Sequence, residues 1–128
     1  MKKLGNDYHF LKINTGSVKN LGLANSQVIS SNGITGGLIA SVYPAEDGVL
    51  IDNCFVASDV NLSGNYAGGI VGYGQNNSGT APIEISNCYS AATGVNGGII
   101  GSAYNLYYSI HDCYTVGVQL YGGAAACD

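Results

Sequence analysis

The chain has 128 residues and a net charge of −4, set by eight acidic residues against four lysines and no arginine. Cations this few and scattered exclude nucleic-acid binding, which needs clustered basic side chains to displace counterions, and argue against docking on anionic lipid. Only 9% of residues are charged, against about 25% in an average globular domain, and 20 are glycine, so the composition favours closely stacked strands over helices.

In chain order, MKKLGNDYHF (1–10) carries two lysines but no apolar core, so it is not a secretory leader. No run of 18 or more apolar residues exists to span a membrane. FLKINTG (10–16) reads as a strand already in progress. VKNL (18–21) opens the first of four similar copies, which reaches Gly36-Gly37 and then Leu38, Ile39 and Ala40. SVYPAEDG (41–48) is predicted as a surface loop. IDNC (51–54) opens the second copy and Gly68-Gly69 leads into Ile70, Val71 and Gly72, followed by a second predicted loop, GQNNSGTAP (74–82). The third copy runs from ISNC (85–88) to Gly97-Gly98, Ile99, Ile100 and Gly101, with tyrosine-rich AYNLYY (103–108) behind it. The last runs from IHDC (110–113) to Gly122-Gly123, Ala124, Ala125, Ala126 and Cys127.

The copies start 33, 34 and 25 residues apart, yet both markers keep their order. Short strands with variable connections, each too apolar on one side to stand alone, are covered by stacking on one another. No helical stripe is sustained. The expected fold is therefore all-β: a parallel β-solenoid (β-helix) of about four rungs starting near 18, 51, 85 and 110, with variable loops. One domain spans 1–128. The chain closes half-way round a rung with no polar cap, which leads to the expectation of a fragment of a longer protein.

Repetition assigns most of the notable residues to architecture. Cys54, Cys88 and Cys113 share a position with Leu21, so they are expected to point inward as a ladder. Adjacent rungs also suit a disulfide, and Cys127 is a candidate partner for Cys113. The spacing does not suit a zinc site. Asn20, Asn53, Asn87 and Asp112 are expected to turn a corner and form a side-chain hydrogen-bond ladder. Gly37, Gly69 and Gly98, in the glycine pairs, permit close contact between rungs. After them, Ile39, Val71 and Ile100 either turn inward at a corner or form an exposed apolar ridge.

Three groups invite a functional reading. Gly22, Phe55, Tyr89 and Tyr114 share an outward position, so the three rings are either stacking that steadies the sheet or a face for sugars. Asp52, Ser86 and His111 stack in one column and match a hydrolytic triad by type. The order is wrong, with serine between the other two, so no catalytic residue is assigned. The eight acids are spread along the chain, with only Glu46 and Asp47 adjacent, which gives no clear pair for glycan cleavage. No enzyme activity, cofactor or metal is expected.

The segments Gly37-Leu38-Ile39-Ala40, Gly69-Ile70-Val71-Gly72 and Gly98-Ile99-Ile100-Gly101, each behind an Asn-Cys-aromatic or its equivalent, resemble the GLUG motif. That repeat occurs in multiple copies in bacterial surface and secreted proteins. Ala40 departs from the final glycine, and the copy at Gly123 is degenerate. The resemblance implies an extracellular or cell-surface setting, although this chain has no signal peptide. It also implies a non-catalytic stalk or adhesin-like binding module, whose partners are the flanking domains of a parent protein; the outward rings and AYNLYY keep carbohydrate as a further option. The alternative is an extracellular filament subunit that joins copies of itself end to end through open rungs.

Overall fold

The computed structural model describes residues 12–30, 33–45, 47–76 and 79–116, with only the backbone given for Lys12. All of its regular structure is strand, and every strand pair is parallel. The first rung comprises Lys12–Ile13, Gly16–Lys19, Gly22–Leu23, Gln27–Ile29 and Ile34–Gly36. The second comprises Ile39–Val42, Val49–Asp52, Phe55–Val56, Asn61–Ser63 and Tyr66–Gly68. The third has Val71–Gln75, Ile83–Ser86 and Tyr89–Ser90, and the fourth has Ile100–Tyr104, Tyr108–His111 and Tyr114–Thr115. Equivalent strands stack into walls, and the first three walls each hold four strands. The protein is a parallel β-solenoid.

The register matches the repeat. Val18, Ile51, Ile85 and Ile110 lie in one column, as do Gly22, Phe55, Tyr89 and Tyr114. In the second wall alternation decides the core: Val49, Ile51, Ile83 and Ile85 point inward, while Leu50 and Glu84 lie on the other side. Fully buried, a side chain of this size contributes about 2–3 kcal/mol. The second and third walls meet at a sharp corner, where Asn20, Asn53, Asn87 and Asp112 all have positive φ, from 52° to 55°. Asn and Asp tolerate this left-handed conformation better than other side chains, which explains their recurrence one residue before the cysteine position.

The glycine pairs form the other decisive corner. A Cβ on Gly37 would stand 2.7 Å from Val56 Cγ2, and one on Gly69 would stand 2.6 Å from Ser90 Cβ. Beyond the pair, the amides of Leu38 and Ile39 both donate to Ile70 O, and those of Ile70 and Val71 both donate to Ile99 O. Two residues facing one is the signature of a bulge, and it breaks strand alternation. As a result Leu38, Ile39, Ile70, Val71, Ile99 and Ile100 are all fully buried. The apolar pair turns inward at a corner and forms no exposed ridge.

Three expectations need correction. Residues 41–48 and 74–82 are not loops throughout, because the strands continue to Val42 and Gln75, and Ser41 and Val42 are buried. Leu21 holds the cysteine register but is 39% exposed, whereas Cys54, Cys88 and Cys113 are buried. Among the described residues its rung is the edge of the stack, with one neighbouring rung beside it. The amide ladder is not continuous either, because Asn87 leaves it. Gly122, Gly123, Ala124, Ala125, Ala126 and Cys127 lie outside the described residues, as does Glu46.

Candidate functional site

The third wall places its aromatic residues by simple alternation: Phe55 points out and Val56 points in. Phe55 and Tyr89 stack with centroids 5.5 Å apart and planes 16° apart, and Tyr89 and Tyr114 stack at 5.2 Å and 7°. Below them, a Cβ on Gly22 would run into the Phe55 ring. Each pair closes the faces between its rings, and Tyr114 at the end of the three is 52% exposed. Such a stack steadies the sheet by about 0.2–1 kcal/mol per pair.

The second wall carries the polar column Lys19, Asp52, Ser86 and His111. Ser86 Oγ donates to Asp52 Oδ1 at 2.9 Å, and Asn87 Nδ2 donates to the same oxygen at 2.9 Å. These bonds, first from Asn87 and then from Ser86, hold the Asp52 carboxyl below its ordinary pKa, and Lys19 adds a smaller pull. His111 is engaged elsewhere, with Nδ1 2.9 Å from Asp112 Oδ2 and Nε2 3.2 Å from Glu84 Oε1. Asp112 first and Glu84 second raise its pKa. Its two ring nitrogens therefore serve carboxylates, and the Ser86 proton is directed to Asp52. Within the column Asp52 is held by the neutral Ser86, and His111 pairs with carboxylates outside it.

Folding does bring together acids that are distant in sequence. Asp47 and Glu84 line one cavity of about 330 Å³ with Thr15, Gly16, Gly48, Val49, Leu50 and Pro82. Among the described residues, no three His, Cys, Asp or Glu side chains converge on a metal position. Among them too, no helix is long and apolar enough to cross a membrane.

The three described cysteines are buried free thiols. Each sulfur donates to the carbonyl two residues back: Cys54 to Asp52 O at 3.3 Å, Cys88 to Ser86 O at 3.0 Å and Cys113 to His111 O at 3.1 Å. Cys88 Sγ also accepts the Cys54 amide at 3.4 Å. The Cys113 thiol beside it, and then burial, push the Cys88 pKa well up, whereas the neighbouring Cys88 thiol lowers that of Cys113 to about 7. Thiols at this position satisfy carbonyls at the asparagine corner.

Sequence reading missed a cluster of tyrosines on and beside the first wall. Tyr43 and Tyr73 meet edge-on at 6.3 Å and 61°, and Tyr73 Oη donates to Gln75 Oε1 at 2.8 Å. Tyr66 and Tyr104 are 48% and 62% exposed. Only AYNLYY pointed this way, because the cluster draws on three rungs at non-equivalent positions. No family model, curated protein or solved structure matches the chain. The resemblance to GLUG repeats therefore rests on the repeated residues alone.

Proposed function

We propose that this chain is a non-catalytic β-solenoid module, a stalk or adhesin-like binding element of a bacterial cell-surface or secreted protein. The observation that carries the reading is how the repeated residues are used. The cysteines satisfy corner carbonyls, the asparagines take up left-handed φ and the glycines admit the neighbouring backbone. What recurs builds the stack, while an outward column such as Lys19, Asp52, Ser86 and His111 varies in side chain. An antibody against the protein, applied to intact cells that make it, is expected to label the surface, and external protease should remove the label. Labelling only after permeabilisation would overturn the reading. Release of new reducing ends from a polysaccharide, lost in Asp47→Asn/Glu84→Gln, would replace it with an enzyme.

End-to-end assembly is a second reading, favoured by the edge columns. The first rung presents Lys19 and Asn20 where the fourth presents His111 and Asp112. A second copy stacked in register sets Asn20 against Asp112, much as Asn53 Nδ2 already donates to Asn20 Oδ1 at 2.7 Å. Light scattering over a wide concentration range tests it, with uniform filaments expected and a constant 13.1 kDa species against it.

A further inference from the structure

Two aromatic surfaces differ in a way that matters for ligands. The rings of Phe55, Tyr89 and Tyr114 stack in two face-to-face pairs, so the faces between them are closed to a flat ligand, and Tyr114 at the end of the three is 52% exposed. On the first wall the rings are not stacked face to face, and Tyr73 is half-buried while Tyr66 and Tyr104 are exposed. Tyr73 lies in register between Ser41 and Ser102, two small residues, and Tyr43 meets its ring edge-on without lying across it. Gln75, the acceptor for the Tyr73 hydroxyl, is in register with Tyr104. Tyr66 approaches from the preceding wall. The phenols of Tyr43, Tyr104 and Tyr66 lie close enough to Tyr73 to add to burial in raising its pKa.

The chemistry of this patch selects a ligand class. Ser41, Tyr43, Tyr73, Gln75, Ser102, Tyr104 and Tyr66 include no charged side chain. Among the described side chains of the patch an ionic partner finds nothing to pair with; Lys12, in register with Ser41, is the one charged residue of the column. A pyranose ring offers an apolar C–H face that stacks on an aromatic ring, and hydroxyls at its rim that need amide and phenol partners. Gln75 uses its carbonyl oxygen on Tyr73, and its Nε2 carries two donors of the kind that a sugar hydroxyl accepts from. The strands carrying these rings are held in register by neighbouring rungs, so little order has to be gained on binding.

We propose that Tyr66, Tyr73 and Tyr104, with the Gln75 amide, form a binding site for a neutral glycan chain, whose sugar rings stack on the tyrosines. The site gives the binding module its ligand class, and so rests on that reading. The test is affinity electrophoresis of the full chain through native gels cast with laminarin, hydroxyethyl cellulose or mannan, with circular dichroism as the fold control. At least one polysaccharide is expected to retard the protein. Tyr66→Ala/Tyr104→Ala should weaken that binding by about tenfold or more, while Tyr114→Ala leaves it unchanged. Gln75→Glu keeps an acceptor for Tyr73 but removes the donors and adds charge, so it should also weaken binding, and it decides the matter if the double variant does not fold. The site is overturned if no gel retards the wild type, if the first-wall variants run as the wild type does, or if Tyr114→Ala alone abolishes retardation. Surface labelling of cells without any retardation would remove the glycan site and leave the module reading standing.

Discussion

Asn87 Nδ2 donates to Asp52 Oδ1 in the rung before it, whereas the equivalent Asn53 donates to Asn20. One carboxylate has drawn an amide out of its ladder. A charge-assisted hydrogen bond is about twice as strong as a neutral one, which explains the diversion.

Acid should therefore weaken the fold through Asp52. Its folded pKa is depressed, so the stability it contributes is present above the unfolded value of about 3.9 and is lost as pH falls through the lower folded value. The urea midpoint is expected to fall below about pH 4, and Asp52→Asn should show a smaller fall. An equal fall in both proteins would assign the acid sensitivity to other carboxylates.

His111 acts in the opposite sense. Its folded pKa is raised, so its contribution is complete below about pH 6.5 and disappears as pH rises through the folded value. An NMR titration of its ring should give a midpoint above that of a free histidine, and Glu84→Gln/Asp112→Asn should return it towards normal. An ordinary midpoint in the wild type would mean that the two contacts are not held in solution.

Gly68→Ala tests the glycine corner. The new Cβ would collide with Val71 O and Gly101 N, both backbone atoms, so the rung itself must shift. A loss of about 3 kcal/mol is expected from denaturant unfolding. Gly79→Ala is the comparison: it has open space around it but a φ of 97°, and should lose about 1 kcal/mol from backbone strain alone. Similar losses at the two positions would refute the packing argument.

Thiol alkylation should follow the pairing of the cysteines. Cys113, lowered to about 7, is expected to react before Cys88, whose thiol is held protonated. Peptide mass spectrometry after limited treatment with iodoacetamide at pH 8 reads the order directly. Cys88 modified first would show that the two thiols do not shift one another in this direction.

The walls were legible because their markers carry physical requirements. A left-handed corner selects Asn or Asp, and a close rung contact selects Gly, so Asn53 and Gly69 announce their roles in the sequence. Strand ends were less legible. Ser41 and Gln75 are polar residues beside turn formers, yet the register continues through them because the neighbouring rungs supply partners. The inward turn of Ile39 and Val71 depends on shared carbonyl acceptors that no spacing displays. The tyrosine cluster was hidden for another reason: Tyr66 precedes a glycine pair, Tyr73 follows it, and only the coiling of the chain makes them neighbours.

The in-register columns also make height independent of cross-section. The upper edge of the second rung offers the same corner, core and backbone groups as its lower edge. A tandem copy of residues 51–84 should therefore slot in as a further storey, moving whatever lies beyond it outward by about 4.8 Å. In such a protein reach is a property that duplication or deletion adjusts in fixed steps, and no existing contact has to be redesigned when the length changes.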